Sequence, residues 1–389
     1  MRSGGHSWSA SFLRDGGMLI DFAAMTRYSI DADARTASIE PGLKGTDLNR
    51  ALRPYGLFFP SGHCMTVGLG GFLLQGGFGW NSRAWGPACV SVTAIDVVTA
   101  NGELLRCDER NNADLFLAAR GAGPGFFGAV TRFEVKLHPR PKAMMRSDYL
   151  YPIEVVDDVI RWLRAVQPKL ARTMECMMFV RRDIFGHSGP GALVTAPVLA
   201  DSAEEARAAL AILESCPVVG KAVKRDVNVA TEFDELLQGG EALLYPPGHR
   251  YAADNMWTHA PAEDLIPGMR NISQTLPQAP SHMMWMLWGP PQPMPDMAFS
   301  MQDDLYVALY SVWDDAKQDA LHQGWVTDNM RALEPLASGI QLADENLGSR
   351  PFRFLAPDNY RRLRVIRTRR DPGGLFHTYM GEPADASSA

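Results

Sequence analysis

At 389 residues, with 46% hydrophobic and 21% charged side chains, the chain has length for two cores and the composition of a soluble globular protein. Its formal net charge of -6 argues against a nucleic-acid partner, which needs a surplus of Lys and Arg on one face. No stretch approaches the roughly 20 uncharged apolar residues of a membrane helix, so no membrane partner is expected. The opening residues Met1–His6 have no apolar run, so no signal peptide is expected either. Five cysteines, odd in number and without a CxxC pair, exclude a disulfide framework and a zinc site and fit a reducing, cytoplasmic compartment.

In chain order, residues 1–140 are glycine-dense and strand-like. Short strands are expected at Met18–Asp21 and Thr36–Glu40, and a short helix at Gly45–Leu52, ending before Pro54. Val90–Thr99 is rich in β-branched residues and leads through the turn pair Asn101-Gly102 to a second strand, Glu103–Cys107. Val130–Leu137 alternates and reads as another strand. From about 145 the texture changes. Apolar residues at helical spacing mark Ile153–Val166, followed by strands at Met174–Val180 and Ala192–Leu199. Ser202 with Glu205 forms a capping box that opens a helix over Ser202–Leu213. Then come a strand (Tyr251–His259), a helix (Ala262–Leu276), two strands (His282–Trp288, Leu305–Trp313) and a helix (Ala316–Leu333). This order suggests an α+β domain with helices on one face of an antiparallel sheet. A last helix, Asn359–Arg369, stops at Asp371-Pro372. Leu363 and Ile366 face inward there, and the arginines read as its solvated face rather than an anion patch.

Three glycine clusters stand out: Arg2-Ser3-Gly4-Gly5-His6-Ser7; Gly62-His63-Cys64 with the run through Gly68-Leu69-Gly70-Gly71 to Gly79; and Arg120–Gly128. Successive glycines let backbone N–H groups converge on a phosphate, so the clusters favour a buried dinucleotide. The nicotinamide fingerprint does not fit. It needs a clean strand before the glycines and a helix at them, whereas Pro60-Ser61-Gly62 and Gly76-Gly77 interrupt both.

Together with Asn359-Tyr360-x-x-Leu363 and Asp371-Pro372-x-x-x-Phe376, these motifs resemble the berberine bridge enzyme-like family, in a bacterial-type form. That family lies within the FAD-linked oxidases with a PCMH-type FAD-binding domain. The resemblance implies a two-domain α+β fold. Residues 1–140 and 340–389 would form the FAD domain, with 141–339 an inserted antiparallel-sheet substrate domain. It implies bicovalent FAD: His6 bonded to the flavin 8α carbon and Cys64 to ring carbon C6, with His63 a structural neighbour. An imidazole nitrogen and a thiolate are both able nucleophiles toward an electron-poor ring. Cofactor contacts are implied for Arg2, Ser3, Gly4, Gly5, Ser7, Val67, Gly68, Leu69, Gly70, Gly71, Phe72, Phe78, Gly128, Val130 and Asn346. Val67 falls where the family controls oxygen access, and a residue this small goes with oxidases. The implied activity is oxidation of a small carbohydrate, or of a secondary-metabolite alcohol or amine, with molecular oxygen as acceptor. A dehydrogenase of the same fold, or a flavin-free inactive protein, are the alternatives.

The sequence departs from the family in two places. The usual Tyr-x-Asn-Tyr stretch, which often supplies the base, reads Gln341-Leu342-Ala343-Asp344-Glu345-Asn346. Asp344 or Glu345 is then the candidate base, provided burial raises its pKa. The chain also opens on the histidine motif, where the family has a preceding strand–helix–strand unit. A longer natural protein is expected, and apolar surface is expected to lie open without that unit. On the substrate side, Tyr251, Asn255 and Trp257 alternate on one strand face and are pocket candidates. His282–Trp288, apolar on both faces, reads as a buried core strand.

Overall fold

A computed structural model describes residues 1–289 and 292–383. The chain divides into two compact units: residues 1–140, 293–301 and 347–389 form the first, and 141–292 with 302–346 form the second. The nine-residue segment Pro293–Met301 thus belongs to the first unit, and the return to that unit begins at Leu347.

The first unit begins with β1 (Tyr28–Asp31), β2 (Thr36–Ile39), α1 (Gly45–Leu52), β3 (Leu57–Phe58), α2 (Leu69–Leu74) and α3 (Ser82–Trp85). It continues through β4 (Val92–Val98), β5 (Leu104–Cys107), α4 (Ala113–Ala119), β6 (Ala129–Lys136) and β7 (His138–Pro139). Five of these strands form a sheet in the order β1-β2-β6-β4-β5. Helix α1 forms where expected because Leu48 and Leu52 fall on one face and are fully buried. It runs into a 3-10 turn that starts at Arg53-Pro54 and closes at Gly56, in the left-handed region at φ 63°. The β4–β5 hairpin turns at Gly102, φ 78°. The strand expected at Met18–Asp21 is not formed. The pairing is a single bridge between Asp21 and Arg2, in which the Ile20 carbonyl accepts from Arg2 N–H at 2.9 Å and Phe22 N–H donates to the Arg2 carbonyl at 2.8 Å, and it does not extend into a ladder. Met18 is 89% exposed and Leu13 55%, so apolar surface lies open along this stretch.

The second unit contains β8 (Ala143–Pro152), α5 (Val156–Val166), β9 (Cys176–Ile184), β10 (His187–Ala200), α6 (Ala203–Leu210), β11 (Lys224–Ala230) and α7 (Phe233–Leu244). It ends with β12 (Arg250–Thr258), α8 (Ala262–Thr275), β13 (His282–Leu287), β14 (Leu305–Trp313) and α9 (Asp319–Leu333). Helix α10 (Pro357–Arg370) follows and belongs to the first unit. The strands form a seven-stranded antiparallel sheet in the order β11-β8-β10-β9-β13-β14-β12. Ser202 caps α6 by accepting from the Glu205 amide at 3.1 Å.

Alternation divides the sheet's side chains into two sets. One set, including Met178, Val180, Val194, Met283, Trp285, Leu305, Val307 and Leu309, packs in a single core with α5, α6, α8 and α9. Strand β13 is buried on both faces, as expected, with only Met284 half-buried: Met283, Trp285 and Leu287 join this core, while His282, Met284 and Met286 point the other way. Strands β8 and β11 and helix α7 were not legible in the sequence. Strand β11 is largely exposed, and its alternation is confined to Val227 and Val229.

Candidate active site

The first two glycine clusters are packed back to back. A Cβ placed on Gly4 would lie 2.5 Å from the Gly68 nitrogen, and one on Gly68 would lie 2.4 Å from Ser3 Oγ. No other residue allows this approach, so the glycines hold the His6 loop against the Cys64 loop. Ser3 Oγ donates to the Pro41 carbonyl at 2.5 Å, and the amides of Gly70 and Leu69 donate to Pro41 and Leu43 at 2.9 and 2.8 Å. Gly5 takes φ 70° directly before His6. Gly71 is exposed, and a Cβ there would meet nothing within 4 Å.

His6 and Cys64 are both half-buried, and Cys64 is in no disulfide. The other four cysteines are buried, and burial pushes the Cys89 and Cys107 thiols up to about 12. Cys64 is therefore the one accessible thiol of the five. His63 tilts against Trp80 at 4.6 Å, consistent with a structural neighbour. Arg2 is paired with Asp21 at 3.0 Å, and Ser7 Oγ faces Ser9 and Ser11 within its own loop. Phe72 is buried against Gly77, while Val67 and Phe78 stay half-buried.

In the third cluster, a Cβ on Gly121 would lie 1.9 Å from the Phe299 nitrogen, one on Gly125 2.3 Å from the Tyr379 ring, and one on Gly128 2.6 Å from Val97. At these glycines the missing side chain makes room for protein, as it does at Gly4 and Gly68. Val130 is buried in β6 beside a register shift against Asp96 and Val97.

In the second unit, Asp344 Oδ2 accepts from two phenols, Tyr306 at 2.5 Å and Tyr310 at 2.9 Å. Both tyrosines are on β14, four residues apart and so on one face. Burial, and then the charge of Asp344, raises both phenols well above their ordinary range, so they remain protonated donors. The Asp344 backbone is held by Asn255, fully buried on β12. Asn255 Nδ2 donates to the carbonyls of Gln341 and Asp344 at 3.0 and 2.8 Å, and its Oδ1 accepts from the Gln341 amide at 2.7 Å. Asn255 was a substrate-pocket candidate, but its amide is spent on this loop. Trp257 packs on Tyr306 at 5.0 Å, and the Tyr251 hydroxyl donates to the Pro246 carbonyl. Asn346, expected at the cofactor, instead donates to Asp254 and Thr327 at 3.0 and 2.9 Å. Glu345 is buried. The two tyrosines were missed by sequence reasoning, although their strand was recognised; i, i+4 phenols on one strand face were the available signal.

Among known proteins, residues 1–108 match the family described as FAD binding domain. Over 381 residues the chain is 34% identical to the FAD-linked oxidoreductase janO of Penicillium janthinellum, covering 96% of this chain and 83% of that one. Its fold matches Physcomitrella patens BBE-like 1 with a TM-score of 0.84 at 19% identity, over 97% of this chain and 84% of that one. The chain belongs to the FAD-linked oxidoreductases. This oxidoreductase also shares its fold with a xylooligosaccharide oxidase from Myceliophthora thermophila, solved with xylobiose. That match has a TM-score of 0.80 and 22% identity over 98% and 86% of the two chains. Within the oxidoreductase, the described residues include no helix able to cross a membrane and no cluster able to hold a metal ion.

Proposed function

We propose that this FAD-dependent oxidoreductase holds its cofactor by two covalent bonds, through His6 and Cys64, and oxidises a small organic alcohol or amine. The observation that supports attachment is the glycine contact that packs the two loops together, with an imidazole on one and the one accessible thiol on the other. The residues fit the group. Gly71 leaves open space, and two nucleophiles of the right kind stand on loops that Gly4 and Gly68 pack together. FAD held there would supply the hydride acceptor, flavin N5, with molecular oxygen as the terminal acceptor and hydrogen peroxide the product.

The chain's own residues handle the proton. Loss of hydride from an alcohol or amine carbon requires removal of a proton from the neighbouring heteroatom, and Asp344 is its acceptor. The hydroxyls of Tyr306 and Tyr310 hold one oxygen of its carboxyl, and Asn255 fixes the backbone that carries it. The phenols of Tyr306 and Tyr310 are too strongly retained to serve as bases. The test has two parts. Yellow flavin should stay with acid-precipitated protein, and Asp344→Asn should keep that flavin while its reduction by substrate slows by about a hundredfold or more. Release of all flavin by acid sinks the attachment, and a wild-type reductive rate sinks the base.

A further inference from the structure

The sheet face that carries Tyr306 and Tyr310 can be read residue by residue from the strand registers. Beside β14, strand β13 sets His282 opposite Tyr310, Met284 opposite Ala308 and Met286 opposite Tyr306. Beyond it, β9 sets Arg181, Phe179 and Met177 opposite these three. Directly opposed residues of antiparallel strands share a face, so the ground next to the Asp344 cluster is Met284, Met286, Met177, Phe179 and Ala308. Thioether, phenyl and methyl groups offer adaptable apolar contact and almost no hydrogen bonding.

Asn255 holds the Asp344 loop, and the Tyr251 hydroxyl is bound to Pro246. At one end, however, two buried atoms are left over. His282 is fully buried, and its Nδ1 lies 2.9 Å from the Pro280 carbonyl, which fixes the proton there and leaves Nε2 as an acceptor. Among the described residues Nε2 has no hydrogen-bond partner, and neither has Nε–H of Arg181, its cross-strand neighbour, although Arg181 donates elsewhere to the Leu243 carbonyl. The His282 ring stacks on Tyr310 at 4.8 Å, with Tyr245 and Phe179 edge-on. One vacant acceptor and one vacant donor on adjacent strands match a single group that both donates and accepts.

Building on the oxidation reading above, we infer that the substrate is a flat, largely hydrocarbon alcohol or amine, not a carbohydrate. Its one remote polar group, a hydroxyl or amide, binds His282 Nε2 and Arg181 Nε. A sugar would bring several hydroxyls against methionine and phenylalanine, and each one stripped of water and left unpaired weakens binding by about tenfold or more.

The test titrates the flavin-loaded protein and reads the change in its flavin absorbance, which does not require turnover. The probes are 6-hydroxy-2-naphthalenemethanol, 2-naphthalenemethanol and xylobiose. The hydroxylated naphthyl alcohol should bind at least tenfold tighter than its parent, and xylobiose at least a hundredfold weaker. His282→Leu should erase the preference between the naphthyl alcohols; if that variant does not fold, the wild-type comparison decides alone. Equal or tighter binding of xylobiose, equal binding of the two naphthyl alcohols, or no response to either up to its solubility limit overturns the inference. Asp344→Asn separates the two readings: if wild-type protein oxidises xylobiose and this variant does not, the substrate class fails while the base stands.

Discussion

Replacing Asn255 by Asp changes two donors into an acceptor at almost constant volume. In the wild type one side chain satisfies two carbonyls and one amide at 2.7–3.0 Å, in a position with 0% exposure. A carboxylate keeps the bond from the Gln341 amide but faces the Gln341 and Asp344 carbonyls lone pair to lone pair. Two hydrogen bonds are lost and two buried acceptors are orphaned, at about 1–3 kcal/mol each, so the second unit should lose about 3–5 kcal/mol at neutral pH. Protonation relieves part of this, because a carboxylic acid can donate once. Burial beside two carbonyls raises the folded-state pKa of the new carboxyl above its unfolded value of about 3.9. Below that value both states are protonated and the ionisation penalty is absent. It grows as pH rises toward the folded value and then levels. Urea unfolding of variant and wild type at pH 5 and pH 8 should therefore show the larger deficit at pH 8. A deficit under about 0.5 kcal/mol, within the range of ordinary surface substitutions, or one equal at both pH values, would refute the clamp.

Four further outcomes are expected. His6→Ala should leave flavin attached through Cys64, and in-gel flavin fluorescence should vanish only when both residues are replaced; loss from either single variant would point to one attachment. Gly68→Ala puts a Cβ 2.4 Å from Ser3 Oγ and 2.5 Å from the Gly4 nitrogen, so the purified variant should carry far less flavin than wild type. Wild-type loading would show that the loops need not touch. Tyr306→Phe removes one of two donors to Asp344, so reduction by substrate should slow by about tenfold while flavin loading is unchanged; a wild-type reductive rate would mean that Tyr306 does not position Asp344. Val67→Leu should slow reoxidation by air while anaerobic reduction stays nearly unchanged, and equal reoxidation rates would show that oxygen enters elsewhere.

Local patterns were enough to specify a good deal of this protein. Residue alternation and spacing marked α1, β14 and most strands of the seven-stranded sheet, because a half-buried strand or a one-sided helix must repeat its apolar residues at the period of its backbone. Glycine spacing marked the loops of His6 and Cys64, because only glycine permits Gly4 to lie on Gly68. What escaped was whatever depends on which strands become neighbours. Nothing local shows that Gly121 and Gly125 make room for Phe299 and Tyr379, far along the chain. Asn255 had the alternation of a pocket residue, yet its partners are 86 and 89 positions away. Tyr306 and Tyr310 became partners of Asp344 through the return of the 341–346 loop. Hydrogen bonds act over about 3 Å, so their donors and acceptors are matched by the sheet's register and not by the order of residues along the chain.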